Sequence, residues 1–81
     1  MNQVEIIAKL QTIFDNLFLE PVVLTPTLSA NEVPEWDSLT HISLVIAVEK
    51  AFSIRFRVGE VELTQNVGEF ANLISNRMQE R

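Results

Sequence analysis

The residues best suited to chemistry lie at the start of a predicted helix, in the run Trp36-Asp37-Ser38-Leu39 and at His41. The spacing Asp37-Ser38-x-x-His41 has the residue types of a serine hydrolase. Adjacent residues on a helix do not face one another, however, and no glycine-rich turn supplies an oxyanion hole. A helix N-terminus favours an anion such as a phosphodiester, because its N–H groups are unpaired and the helix dipole is positive there. We therefore predict no catalytic residue and consider Ser38 a candidate for carrying a phosphate-linked group.

The sequence leaves two roles open for Ser38. Serine is a preferred helix N-cap, so it needs no chemistry to occupy this position. Asp37 could cap the helix instead, which would leave the Ser38 hydroxyl available for modification. For His41 we expect a partly buried ring bonded to a carbonyl under the preceding loop, with a hydrogen bond to a phosphate on Ser38 as the alternative.

Composition excludes several classes of function. The chain has 81 residues, which suffice for a single domain over 1–81 but leave little room for a deep enzyme cleft. It contains no Cys and one His, so we predict neither disulfides nor a metal site. A net charge of −5 repels nucleic acid and anionic lipid and suits basic protein partners. With no signal-peptide pattern and no apolar run of membrane-spanning length, we expect a cytoplasmic monomer.

The first half of the chain is predicted to form one helix and one long loop. Apolar residues recur at helical spacing from Val4 to Phe18, and Asn2 with Glu5 has the spacing of a capping box. The connection from Leu19 to Asp37 contains three prolines, and a loop of this length usually has a function or its own anchors in the core. The candidate anchors are Leu24, Leu28 and Val33.

The second helix is predicted from Ser38 to Phe52 and has two apolar faces. Leu44, Val45, Val48 and Phe52 cluster on the face that would enter the core. Leu39 and Ile46 share a different face. They could pack under the long loop, or they could form a docking surface, because exposed apolar side chains flanked by polar ones often mark an interface. We favour docking, since this face begins beside Ser38.

The remainder is predicted to contain a short third helix and a capped fourth. The alternating segment from Ser53 to Gly59 has no second strand to pair with, so we interpret it as an extended loop whose Ile54 and Phe56 enter the core. The segment from Glu60 to about Thr64 allows one or two helical turns. Asn66 and Glu69 have capping-box spacing before a last helix. Its shared apolar face comprises Val67, Phe70, Ala71, Ile74 and Met78. The expected fold is all-α, a four-helix bundle.

Three segments together resemble the acyl carrier protein family: Asp37-Ser38-Leu39, the apolar helix from Ile42 to Glu49, and Phe52-x-Ile54-x-Phe56. The resemblance continues through Glu60 and Val67. It implies a carrier-type bundle in which a separate transferase attaches phosphopantetheine to Ser38. The thiol of that group would carry acyl intermediates between acyl-loading and acyl-transferring enzymes. The resemblance also implies that Asp37, Leu39 and His41 adjoin the group, and that partners dock on Leu39, Ile46, Glu49, Lys50, Glu60 and Glu62.

The chain departs from fatty-acid carriers where those proteins are typically acidic. Thr40, Ser43, Lys50 and Ala51 occupy helix positions at which acids are common, and Arg55 and Arg57 add positive charge beyond the helix. Trp36 stands where a glycine is often found, and we expect it to pack within the loop. These departures favour a free-standing carrier of a specialised pathway, such as polyketide biosynthesis. The alternatives are an aminoacyl or peptidyl carrier and a housekeeping fatty-acid carrier.

Overall fold

The computed structural model describes residues 2–79, which form three α-helices. The helices are α1 (Gln3–Leu17), α2 (Ser38–Phe52) and α3 (Val67–Gln79), with single 3₁₀ turns at Ala30–Glu32 and Val61–Leu63. Helix α1 packs against both α2 and α3 and so lies at the centre of the bundle. No strand occurs between residues 2 and 79, which confirms the all-α prediction. Within the same range, no helix is long and apolar enough to span a membrane.

The core is formed by one apolar stripe from each α-helix. The residues buried on these stripes are Ile6, Leu10 and Phe14 of α1, Leu44, Val48 and Phe52 of α2, and Val67, Phe70, Ala71 and Ile74 of α3. Burying such side chains is the main stabilising contribution to a domain of this size. Met78, predicted on the same face of α3, is only half-buried.

Helix α1 begins and ends slightly earlier than the periodicity predicts. The Asn2 side chain accepts a hydrogen bond from the Glu5 amide at 2.9 Å, and the Glu5 carboxylate accepts one from the Asn2 amide at 3.2 Å. This confirms the capping box. At the other end Phe18 has an extended backbone, and its amide donates to the Phe14 carbonyl at 2.8 Å. The helix therefore ends four residues before Pro21, whose ring would clash with the Leu17 carbonyl if the helix continued.

The long connection after α1 is held by its predicted apolar anchors and by polar contacts that the sequence analysis missed. Leu24 and Val33 are buried, and Leu28 is half-buried. The Gln11 amide group of α1 donates to the Val22 carbonyl at 2.6 Å and accepts from the Leu24 amide at 3.0 Å. These contacts fix the path of a segment that has only one 3₁₀ turn of its own.

A close backbone approach joins the same connection to the start of α3. The Gly68 amide donates to the Pro26 carbonyl at 2.8 Å, and the Val67 amide donates to the Leu28 carbonyl at the same distance. A Cβ atom at Gly68 would lie 2.9 Å from the Pro26 carbonyl oxygen, so the contact requires glycine. The loop therefore packs on the N-terminus of α3.

The segment predicted as a short third helix is a single 3₁₀ turn rather than an α-helix, so the four-helix count is not confirmed. The segment forms one 3₁₀ turn at Val61–Leu63, between Gly59, whose φ is +80°, and the start of α3. The Thr64 hydroxyl donates to the Val61 carbonyl at 2.6 Å and occupies an acceptor that a longer helix would use. Only six residues separate the left-handed Gly59 from the Asn66 cap, so any helix between them is short.

The two remaining connections agree closely with the sequence analysis. Ile54 is buried and Phe56 is half-buried, with its ring centroid 6.0 Å from that of Phe70. Asn66 caps α3 by accepting from the Glu69 amide at 2.8 Å. The Glu69 carboxylate, expected to return to the Asn66 amide, accepts instead from the Gln65 amide at 2.9 Å.

Candidate functional site

Asp37, not Ser38, caps the helix on which the candidate site lies. The Asp37 carboxylate accepts hydrogen bonds from the backbone amide and the hydroxyl of Thr40, both at 3.0 Å. These two bonds hold the pKa of the Asp37 carboxyl below its usual value of about 3.8, because they stabilise the charged form. The alternative in which Ser38 is the cap is therefore wrong.

Ser38 is the first residue of α2 and is exposed to solvent. Its hydroxyl makes no hydrogen bond to any group in residues 2–79. The positive end of the α2 dipole lies at this position. The arrangement leaves an unengaged hydroxyl where a covalently attached anion is electrostatically favoured.

Ser38 adjoins an open cleft of about 840 Å³. One wall comes from the start of α2, a second from the loop around Ala30, and a third from the 3₁₀ turn at Val61–Leu63. The buried side chains of Val61 and Phe70 form its apolar part. A modifying enzyme or an attached group can therefore approach the hydroxyl from the open side.

His41 joins the loop before α2 to the 3₁₀ turn after it. The Trp36 indole Nε1–H donates to His41 Nδ1 at 3.1 Å, and His41 Nε2 lies 3.2 Å from Glu62 Oε1. Because an indole N–H only donates, Nδ1 must accept, and the ring proton resides on Nε2 and points to Glu62. The ring is partly buried, as expected, but the predicted bond to a carbonyl is wrong. Both ring nitrogens are occupied, so His41 is not placed to act as a base for Ser38.

Trp36 packs within the loop as predicted and reaches α1. Its ring lies edge-on to Phe14 at a centroid distance of 5.2 Å and to Phe18 at 6.4 Å. It also stacks on the His41 ring at 6.4 Å with an interplanar angle of 22°. Trp36 therefore holds the end of the loop in place, directly before Asp37 and Ser38 at the start of α2.

The chain resembles acyl carrier proteins in sequence and in structure. No family model matches it. It is 32% identical over 79 residues to an acyl carrier protein from Thermosynechococcus vestitus, spanning 96% of this chain and 98% of that protein. The chain belongs to the acyl carrier protein family. The solution NMR structure of a holo acyl carrier protein from Geobacter metallireducens superposes with a TM-score of 0.81 at 35% identity, covering 90% of this chain and 85% of that one.

Membership of the acyl carrier protein family makes the chain a carrier rather than a catalyst and implies a phosphopantetheine prosthetic group. The residues at the start of α2 fit such a group, because the exposed Ser38 hydroxyl is unengaged and adjoins an open cleft. The serine hydrolase alternative has no support from the geometry of His41.

The apolar docking face predicted on α2 is exposed and larger than the sequence analysis found. Leu39 is 78% exposed and Ile46 is 48% exposed, so neither packs under the long loop. Ile42, at 57% exposure, lies between them on the same face and was missed. Ile42 could have been assigned to this face from the sequence, because it lies three residues from Leu39 and four from Ile46, and residues at these spacings are neighbours on a helix. We call the face formed by Leu39, Ile42 and Ile46 the α2 apolar face. Docking of partners on it remains a prediction.

Two of the three glutamates expected to contact partners already make hydrogen bonds within the chain. Glu49 is half-buried, and its carboxylate accepts from the Phe56 amide at 2.9 Å. Glu60 accepts from the Arg57 amide at 3.0 Å and forms an ion pair with Arg77. The hydrogen bonds from Arg77, and then from the Arg57 amide, lower the pKa of the Glu60 carboxyl. These carboxylates position loops, a role that their sequence positions did not reveal.

The other two expected docking residues differ in exposure and in contacts. Glu62 bonds to His41 but keeps 59% of its side chain exposed, so it can still contact a partner. Lys50 is exposed near the C-terminal end of α2.

Proposed function

We propose that the chain carries acyl groups as thioesters on a phosphopantetheine arm attached through the Ser38 hydroxyl. This proposal rests on one observation at the start of α2: Asp37 caps the helix, which leaves the Ser38 hydroxyl exposed and without a hydrogen bond among the described residues. A separate transferase would move the group from coenzyme A to Ser38. When attached, the group supplies a thiol whose acyl thioester is reactive, because thiolate is a better leaving group than alkoxide.

The chain's own residues would orient the arm rather than react with its cargo. The N-terminus of α2 favours the phosphodiester, and the Asp37 cap keeps that terminus ordered. The contacts of His41 with Trp36 and Glu62 hold one wall of the cleft beside Ser38. A flexible arm of this kind keeps its cargo at a high effective concentration near a docked enzyme.

Attachment is tested by intact mass after incubation with coenzyme A and a broad-specificity phosphopantetheinyl transferase. We expect a gain of one phosphopantetheinyl group that is absent in Ser38→Ala. Ser43→Ala is the matched control, since Ser43 is exposed on the same helix, and this variant should be modified normally. A full mass gain in Ser38→Ala, or no gain in the parent chain with several transferases, would contradict the proposal.

We further propose that the carrier serves a specialised, polyketide-like pathway rather than housekeeping fatty-acid synthesis. The support is that the outer face of α2 exposes Leu39, Ile42, Ile46 and Lys50, whereas Glu49 is turned inward to the Phe56 amide. Docking would therefore depend more on apolar contact than on attraction of a basic partner.

The pathway is tested by supplying the modified carrier to a reconstituted bacterial fatty-acid synthase. We expect elongation far below that of the synthase's own carrier, and equal elongation would contradict the assignment. Loading of an amino acid by an adenylating enzyme would instead identify an aminoacyl or peptidyl carrier.

A further inference from the structure

A second concave surface lies at the opposite end of α2 from Ser38. It is an open groove of about 850 Å³ between the last turns of α2 and the segment that follows. Its apolar lining comes from Ile46, Ile54 and Phe56, of which Ile46 also belongs to the α2 apolar face. The groove is therefore continuous with the proposed docking face but distant along the helix from the modification site.

The groove gathers most of the chain's positive charge. Four of the six Lys and Arg residues line it, namely Lys50, Arg55, Arg57 and Arg77. Within residues 2–79, Glu49 is the one carboxylate in the lining. Arg77 is paired with Glu60, but Lys50, Arg55 and Arg57 are all exposed. The local excess of positive charge is thus presented to solvent.

The backbone explains why these charges point outward together. Burial alternates along the segment after α2, as expected where successive side chains point to opposite sides of the chain. Ile54 and Phe56 turn toward the core, and Arg55 and Arg57 consequently turn toward solvent. Lys50 lies in the last turn of α2, where the helix dipole favours a cation. The dipole accounts for Lys50, but it does not account for two arginines beyond the end of the helix.

The rest of the chain would repel an acidic ligand. The net charge is −5 even with these cations included. Of the two remaining cations, Lys9 lies on α1 over the Phe52 ring, and Arg81 falls outside the described residues. Charge complementarity therefore directs an acidic segment to the groove and away from the other surfaces.

We propose that this groove docks a partner protein through an acidic segment that carries an apolar anchor. The anchor contacts Ile46 and Phe56, while carboxylates of the partner pair with Lys50, Arg55 and Arg57. The partner is one of the enzymes served by the carrier, so its identity rests on the proposed function. The binding chemistry does not, because Ser38 takes no part in it.

The test uses the unmodified chain and a fluorescein-labelled peptide in which Glu residues flank a central Phe. Two control peptides replace the Phe with Ser or every Glu with Lys. Binding is followed by fluorescence anisotropy at low and moderate salt, and its location by amide NMR shifts. We expect the acidic Phe peptide to shift the amides of residues 46–57 and to bind at least about tenfold more tightly than either control.

Charge-reversal variants determine whether the effect is local. The double variant R55E/R57E should weaken binding of the acidic Phe peptide by about tenfold or more. The control K9E changes charge on α1 and should weaken binding far less than R55E/R57E, because Lys9 lies outside the groove lining and makes no proposed contact with the peptide. Circular dichroism confirms that each variant is folded. The Ser38→Ala variant should bind the peptide as tightly as the parent chain does. Such a result would show that peptide binding does not depend on attachment at Ser38.

Three results would overturn the proposal. The first is an affinity loss in K9E equal to that in R55E/R57E, since only net charge would then matter. The second is the absence of amide shifts in residues 46–57. The third is a dimer of the parent chain that dissociates in R55E/R57E, as measured by sedimentation, because the occupant would then be a second copy. Loss of modification at Ser38 with intact peptide binding would count only against the attachment site.

Discussion

Helix α2 carries two apolar side chains, two residues apart, that we expect to respond very differently to truncation. Leu44 is completely buried between the helices, whereas Ile46 is 48% exposed on the α2 apolar face. Replacing each by Ala removes a similar amount of hydrocarbon from the same helix. The comparison therefore separates the contribution of the core from that of the proposed docking face.

The magnitudes follow from burial. Leu44→Ala leaves a cavity in the core and should lower the free energy of unfolding by about 2–5 kcal/mol. A domain of this size is stable by only about 4–12 kcal/mol, so its melting temperature should fall by about 8 °C or more. Ile46→Ala forfeits about half of a burial contribution of about 1.5–3 kcal/mol and regains about 0.4 kcal/mol of helix propensity. Its net cost should be about 1 kcal/mol or less.

The assay is urea unfolding followed by far-UV circular dichroism, with both variants and the parent chain measured at one temperature. A third variant, Ile46→Glu, tests docking by the kcat/KM of modification by a phosphopantetheinyl transferase. We expect that ratio to fall about fivefold or more while the unfolding midpoint stays close to that of Ile46→Ala. If Ile46→Ala destabilised the chain as much as Leu44→Ala, Ile46 would be a core residue and the docking assignment would be refuted.

Two further predictions concern the contacts around the cleft and the groove. Trp36→Phe keeps an aromatic ring against Phe14 but removes the indole N–H that donates to His41. It should lower the free energy of unfolding by about 1 kcal/mol in the same assay. An unchanged free energy of unfolding would mean that this hydrogen bond does not stabilise the loop. Glu60→Gln should destabilise the chain at pH 7 but not at pH well below the ordinary carboxyl value of about 4.5, because a lowered pKa contributes stability that is lost as pH falls. Urea unfolding at several pH values checks this, and a destabilisation that persisted at acid pH would show that the Arg77 ion pair is not its cause.

Periodicity and capping patterns were sufficient to predict the α-helices, because both depend on residues close in sequence. The Asn2–Glu5 box and the Asn66 cap begin helices where expected. The apolar stripe of α2 identified its buried face correctly. The alternating segment that contains Ile54 and Phe56 was correctly predicted to be a loop rather than a strand, because one isolated strand has no hydrogen-bonding partner.

The errors occurred where an element depends on contacts between distant residues. The 3₁₀ turn at Val61–Leu63 is limited by its neighbours on both sides rather than by its own composition. The sequence neighbours of Glu49 and Glu60 also did not reveal that their carboxylates bond to the Phe56 amide and to Arg77. The 3₁₀ turn at Ala30–Glu32 could have been found, since Ser29 and Glu32 have capping-box spacing.

The division of roles between Asp37 and Ser38 also explains how one helix terminus could be ordered and carry the proposed group on Ser38. If a serine capped α2 through its Oγ atom, modification would turn that acceptor into a phosphoester oxygen and would alter the capping bond. With Asp37 as the cap, the bonds to Thr40 are independent of what Ser38 carries. The apolar face and the basic groove on the same helix would then present an unchanged surface to partners, whichever cargo the arm holds.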